Sequence, residues 1–294
     1  MKLYRTTITP ISSFATALKG DTLFGQLCWA LRYALGNDKL NNLLSSYDIT
    51  PFMVVSDGFP HSYFPKPTMP SNLLGENSDD KKNNRKKIWL SMDDLSNGLY
   101  INAKTDKEIE NIDHNVATIK NSINYQTFTT DDNGVFAPYS ETEYVVNMRD
   151  IYIVLDETQL TFEEFTKTFA LFAQMGFGKN TTIGKGFFTY SDFQEISVDR
   201  ERDTYMTLSP SELNTQHYTH CYYDPFVRFG KHGASLSNKN PFKKPLLLAD
   251  TAAVVRFESP QSKHYIGKSI RGHSAHSETV HQGYAIIIPI GGIQ

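Results

Sequence analysis

One segment restricts the fold more than any other, a helix with a full set of boundary signals. Thr161 and Glu164 form a capping box, in which each side chain satisfies the other's orphan amide. Leu160 and Phe165 sit where a hydrophobic staple belongs. Phe165, Phe169, Phe172 and Ala173 recur at helical spacing as a buried stripe, and Gly176 stops the helix. The loop Gly176-Phe-Gly-Lys-Asn-Thr-Thr-Ile-Gly-Lys-Gly186 follows, with four glycines, two lysines and two threonines in eleven residues. Phe187–Ile196 then reads as a strand.

The rest of the chain is organised around this unit. Lys2–Thr9 is β-rich with partial alternation, a first strand. After a loop through Lys19-Gly20, Asp21 suits an N-cap. Leu23, Phe24, Leu27, Cys28, Leu31 and Leu35 make a helical stripe closed by Gly36. Pro51–Asp57 is a short apolar strand. Ser71–Lys87 is polar, charged and poor in aromatics, as a mobile loop is. Asp113–Phe136 lacks periodicity and carries Gly134 at a turn, which suits an inserted hairpin or arm. Tyr144–Leu155 returns to strand character.

Strand, helix, strand, insertion, strand, helix, strand is the βαββαβ pattern of ferredoxin-like domains, also the frame of RNA-recognition domains. The expected class is α+β, with two ferredoxin-like (RRM-like) domains and an inserted β-hairpin or thumb. The first domain spans 1–196 with an insertion at about 60–140. The second, 197–294, is a degenerate copy with strands at Thr204–Leu208, Thr219–Phe229, Leu246–Phe257 and Gly283–Ile290.

Composition excludes several classes. Hydrophobic residues make up 39% and aromatics 13% of 294 residues, enough for a packed core. Two cysteines, Cys28 and Cys221, argue against a disulfide framework or a thiolate-rich zinc site and fit a reducing cytoplasm. The opening MKLYRTTITPISSF lacks the apolar stretch of a signal peptide. No apolar run approaches the ~18 residues of a membrane span, so no membrane role is expected. Net charge is −3, but it is unevenly spread. Asp131–Glu164 holds nine acidic residues against Arg149, a net of −8. Phe226–His273 holds nine lysines and arginines against Asp250 and Glu258, a net of +7. Segregation of this kind suggests one face for an anion and another for a different partner.

The glycine loop is the leading anion site. Glycines let backbone approach a ligand closely. Exposed amides together with Lys179, Lys185 and the hydroxyls of Thr181 and Thr182 suit phosphate. A Walker loop is excluded, because five residues separate Gly178 from Gly184 and Gly186 stands where Ser or Thr is needed. The dinucleotide fingerprint is excluded because this loop follows a helix and precedes a strand. No cofactor is expected. Lys19-Gly20-Asp21, at a helix start, is a second phosphate seat. Lys268 and Arg271 in Gly267–Gly272, and Lys231 before His232 and Gly233, complete the basic set.

Four segments together resemble one family: LKGDTLFGQLCWAL (Leu18–Leu31), GFGKNTTIGKG (Gly176–Gly186), NPFKKPLLLADTAAV (Asn240–Val254) and ETVHQGYAIIIPI (Glu278–Ile290). They look like the RAMP-class subunit-four family of the Csm complex, the type III-A CRISPR effector. The glycine loop is shared by many RAMP proteins; the opening and closing segments narrow the match. The resemblance implies two ferredoxin-like domains and a non-catalytic subunit that caps the crRNA-binding backbone and grips the repeat-derived 5′ tag. It implies docking to the large palm-domain subunit on one side and to the repeated RAMP backbone subunit on the other. Carried over, Lys19, Gly20 and Asp21 would line the tag. Gly176, Gly178, Lys179, Thr181, Thr182, Gly184, Lys185 and Gly186 would hold its phosphates, with Lys231, Lys268 and Arg271 as lesser contacts. The segment from His114, with Tyr125 and Phe128, departs from the family in wording. It sits where the family carries its thumb, which would displace a base near the first guide–target pairs. The acidic Asp131–Glu164 face is a contact for a protein partner on charge alone.

Some RAMP relatives cut RNA with a histidine general acid/base and no metal, so a precursor-processing endoribonuclease is the alternative. His217 and His220 fall on opposite faces of a strand, which spoils a shared metal. His273, His276 and His281 lie near basic residues without a recognisable partner. Asp131-Asp132 before Gly134 reads as a turn. Neither a catalytic residue nor a metal site is expected.

Overall fold

The computed structural model describes residues 1–131, 134–199, 201–213, 217–233 and 241–292. Asp132 of the acidic pair and Asn240, at the start of the third resembling segment, lie outside the described residues.

The first strand, Lys2–Pro10, is central to one antiparallel sheet. It pairs with Arg149–Leu155 over its length, from Lys2↔Leu155 to Ile8↔Arg149. Its other edge carries Phe188–Tyr190 and Gln194–Glu195. Met53–Val55 and Phe59–Pro60 lie outside Arg149–Leu155. The helices Gly20–Leu35 and Phe162–Met175 pack against each other. The capping box at Thr161 and Glu164 is present. Phe165, Phe169 and Phe172 interlock with Phe188 and Phe193 at ring separations of 5.0–6.4 Å. Such tilted and edge-on contacts stabilise beyond area burial alone.

The second half is a sheet without helices among the described residues. Its order is His220–Tyr222, Val254–Arg256, Thr204–Thr207, Tyr284–Pro289, Tyr265–Gly267, all neighbours antiparallel. Pro225–Arg228 and Leu246–Ala249 form a separate hairpin. The whole is a mixed α/β chain, rich in antiparallel strands and poor in helices.

Several expectations on elements change. Asp21 is not the N-cap: Lys19 holds that position, and the Asp21 carboxylate is used elsewhere. Gly36 does not end helical structure, because Asn37–Ser45 begins a second helix directly after it. Tyr144–Leu155 is broken into two strands, Tyr139–Val145 and Arg149–Leu155, which belong to different sheets. The polar Ser71–Lys87 stretch contains a 3₁₀ turn and a short helix. Lys66 Nζ ties it down, donating to Glu76 at 2.6 Å and to the Asn84 carbonyl at 2.9 Å.

One apolar core joins the halves: Ile286 and Ile288 of the second sheet share it with Val54, Phe52 and Phe24 of the first. The edge of Met53–Val55 is finished by a side chain rather than a strand. The fully buried amide of Gln282 accepts from Val55 N at 2.9 Å and donates to Val55 O at 2.8 Å. A Gln amide has the donor–acceptor pair of a peptide group, so it can close a strand edge in this way.

Gly20 lies at this junction. A Cβ there would meet Val55 O at 2.4 Å and Ser209 Cβ at 2.8 Å. Gly20→Ala is expected to destabilise by about 3 kcal/mol, the upper end of overpacking costs. Gly25→Ala on the same helix, with nothing within 4 Å, is expected to stabilise by roughly 0.5–1 kcal/mol. Denaturant melts of the two variants check the contrast.

Candidate nucleic-acid interface

The glycine loop is held from several sides. Gln26 on the first helix accepts from Gly178 N at 2.8 Å and donates to Gly176 O at 3.1 Å. Thr16 Oγ1 accepts from Lys179 N at 3.1 Å, and Gly186 N donates to Ser13 O at 2.9 Å. Three of its four glycines are therefore demanded by packing. A Cβ at Gly186 would meet Phe177 O at 2.0 Å, and one at Gly178 would meet Thr16 Cβ at 2.6 Å. Gly176 faces Thr181 and Gly186, and all three have positive φ. Gly184, φ +89, differs in facing open space. Thr181–Ile183 forms a 3₁₀ turn after the left-handed Asn180. The first amides of such a turn have no intrahelical acceptor, and Thr182 is exposed beside them.

Both loop lysines carry carboxylate partners from the hairpin His114–Lys120/Tyr139–Val145. Lys185 Nζ lies 2.6 Å from Glu143 and 3.1 Å from Ser13 Oγ. Lys179 Nζ is 3.3 Å from Glu141, half exposed. Glu141 also accepts from Lys120 and Asn180, which hold its carboxyl down at about 2. Loop and hairpin root form one charged unit. Lys185 is the more committed cation; Lys179, weakly paired in solvent, is the freer one.

This pairing corrects the acidic-face expectation. Glu141 and Glu143 face the loop lysines. Asp150 is buried and accepts from Thr7, His61 and Ser62. Asp156 serves Thr158 and Gln159, and Glu164 serves the helix cap and Lys39. The acidic run is largely an internal counter-charge.

Lys19-Gly20-Asp21 likewise lies within a network. Lys19 Nζ is 3.0 Å from Asp57 and 2.9 Å from Asp250, with the Phe226 ring 5.3 Å away. Burial opposes the lysine's charge, but the two carboxylates outweigh it and raise its pKa. Gly20 N donates to Asp57 at 2.7 Å. Asp21 receives a two-pronged contact from Arg228, at 2.6 and 2.5 Å. These three residues bind the halves to each other, and the phosphate seat expected of a free Lys19 is occupied by protein carboxylates.

A cleft of about 380 Å³ runs between these features. Phe14, Phe59, Trp89 and Tyr144 line it, with Thr16 on the glycine-loop side and Lys19, Arg149, Asp113 and Asp250 bringing charge. Arg149 is buried and pairs with Asp113. Sequence reasoning missed the aromatic lining, because its members come from distant segments and none stands in a motif.

The hairpin projects from this cleft, attached by the bridge Phe14↔Tyr144. Tyr125 and Phe128 are 88% and 79% exposed in its tip, where Phe128 N donates to Asn124 O at 2.7 Å. His114 is apart from them, at the root opposite Val145. At ~3.4 Å per residue, a strand that runs on to Lys120 carries the tip roughly 20 Å away. The remaining basic residues do not join the cleft. Lys231 lies over the Phe242 ring at 4.8 Å. Arg271 pairs with Asp48 at 2.5 Å, and Lys268 is exposed close by in sequence. Among the described residues no cluster of His, Cys, Asp and Glu could hold a metal, and no helix is long and apolar enough to cross a membrane.

Behind Asp21, His281 Nε2 approaches its carboxylate at 3.5 Å. Burial pushes His281 down to about 4 from an ordinary 6.5. Between those values the unfolded chain binds more protons, so stability falls as pH drops from about 6.5 toward 4, by at most about 3 kcal/mol. Replacing His281 by Gln should flatten that part of a melting-temperature profile, leaving the profile above pH ~7 unaltered in slope.

No protein-family model matches the sequence, and no curated protein matches it. Solved structures do. A chain of a Csm1–Csm4 cassette in complex with AMPPNP aligns at TM-score 0.61 and 16% identity, covering 99% of this chain and 98% of that one. The cassette with pppApA gives 0.62 at 14% identity, with 99% and 98% covered. A chain of the Csm3–Csm4 subcomplex of the type III-A CRISPR-Cas interference complex gives 0.58 at 14%, with 99% and 100% covered. The chain thus has, from end to end, the fold of a subunit found in these Csm assemblies.

Proposed function

We propose that this protein is a crRNA-binding, non-catalytic subunit of a type III CRISPR effector, occupying the place of Csm4. The observation that carries this is the end-to-end fold match to chains of both a Csm1–Csm4 and a Csm3–Csm4 assembly, in which Csm4 is the common member. On this reading 1–196 and 197–294 are two ferredoxin-like units, the second having lost its helices. The large palm-domain subunit and the repeated backbone subunit are its protein partners.

The 5′ tag runs along the open side of the glycine loop, over Gly184, Thr182 and the turn amides, with Lys179 as the mobile cation. Bases enter the aromatic-lined cleft at the hairpin root. The hairpin presents Tyr125 and Phe128 to target RNA near the first guide pairs, where base–aromatic stacking is effective. Lys19, Gly20 and Asp21 act indirectly, by holding the cleft wall.

Co-expression with the palm-domain and backbone subunits and a repeat-containing RNA tests the assignment: a stable particle carrying the RNA is expected, and failure to enter it rejects the reading. Within the particle, Lys179→Ala should reduce the salt slope of RNA binding by somewhat under ~0.7 log units. Lys185→Ala should instead loosen the hairpin root.

A metal-free endoribonuclease is the competing reading. Its support is His61, 45% exposed, with Nδ1 2.9 Å from buried Asp150, a base oriented by a carboxylate. Cleavage of repeat RNA at one phosphodiester, lost in His61→Ala, would favour it over the binding subunit.

A further inference from the structure

A second cleft, of about 490 Å³, opens away from the glycine loop, beside the Pro225–Arg228/Leu246–Ala249 hairpin. Ser211, Leu213, Tyr218 and Leu248 line it, with Tyr223 and Leu247 exposed at its rim. Ser211 is anchored by its backbone, which exchanges two hydrogen bonds of 2.9 Å with Ala249.

Two atoms distinguish this cleft. Ser211 Oγ and Tyr218 OH are buried and have no hydrogen-bond partner, and Ser211 is wholly inaccessible. A buried hydroxyl without a partner destabilises a fold, and Ala or Phe at these positions would avoid the penalty. Both hydroxyls can donate and accept. Around them the lining is apolar, with Leu213, Leu248 and Pro225. Among the described lining residues there is no lysine or arginine, and Glu212 is present, so an anionic ligand is disfavoured. Burial raises the Cys221 thiol, which stays protonated and behaves as an apolar wall.

We propose that this cleft binds an uncharged planar heterocycle of the nucleobase class, its polar edge on Ser211 and Tyr218 and its face toward Tyr223. The volume suits a base with its sugar at the mouth, and the mix of apolar walls with two placed polar groups is that of a small-ligand site. An aliphatic side chain from a partner protein would fill the volume but leave both hydroxyls unpaired. The proposal does not depend on the reading of the glycine loop, since a nucleoside carries no phosphate.

The test titrates the full chain with adenosine, guanosine, cytidine and uridine, followed by saturation-transfer NMR and calorimetry. At least one should bind. Tyr218→Phe and Ser211→Ala should each weaken it about fivefold to tenfold, the loss of one hydrogen bond. Tyr223→Ala should weaken it about tenfold by removing a stacking face. Tyr218→Phe and Ser211→Ala should also melt no lower than the parent, because each removes an orphan hydroxyl. Lys179→Ala should leave nucleoside binding unchanged, which separates this site from the loop. Any of three results overturns the proposal: no binding by all four nucleosides, unchanged affinity in Tyr218→Phe, or a lower melting temperature in that variant. The last would show the hydroxyl to be structural.

Discussion

Everything in this molecule hangs on three consecutive residues at the start of its first helix. Lys19 reaches Asp57 of its own half and Asp250 of the other. Gly20 admits Val55 and Ser209 so closely that no side chain fits. Asp21 accepts Arg228 from the second half. Buried charges need paired and hydrogen-bonded partners, and here the pairs cross the junction. Removing one partner would strand the other charge, so the halves are coupled electrostatically as well as through the shared core around Ile286 and Ile288.

A second coupling joins the glycine loop to the hairpin. Glu141 and Glu143 hold Lys179 and Lys185 on the far side of the cleft from the interlock. A phosphate arriving at Lys179 meets a weak, solvent-screened ion pair, which it can replace at small cost. Lys185 answers to a buried Glu143 and holds position. The loop thus combines one exchangeable cation with backbone fixed by Gln26, Thr16 and Ser13. A pre-set backbone favours phosphate binding because little ordering remains at the moment of contact.

Local signals were read well from the chain. The capping box at Thr161 and Glu164, the stripe Phe165–Phe172 and the glycine stop all depend on neighbours within a few residues, and all stand as read. The same holds for the stripe of the first helix from Leu23 to Leu31. Misreadings occurred where a local rule met a distant partner. Asp21 looked like a cap until Arg228, 207 residues away, took its carboxylate. The acidic and basic runs looked like two faces, yet they largely neutralise residues elsewhere, Glu143 with Lys185 and Arg228 with Asp21. The cleft's aromatic lining was invisible because Phe14, Phe59, Trp89 and Tyr144 share no spacing.

The chain by itself determined where its helices start, which faces are apolar, and that a glycine- and lysine-rich turn follows the capped helix. Those properties arise from dihedral preferences and contacts a turn or two apart. Only the tertiary structure decided what the glycines and charges are for. Gly176, Gly178 and Gly186 turned out to serve packing, with Gly184 left facing open space. Lys19 and Lys185 turned out to be committed cations, with Lys179 half free. A charge has no preferred partner in sequence. Which carboxylate it meets, and how much water is left between them, is set by the packing of elements far apart in the chain.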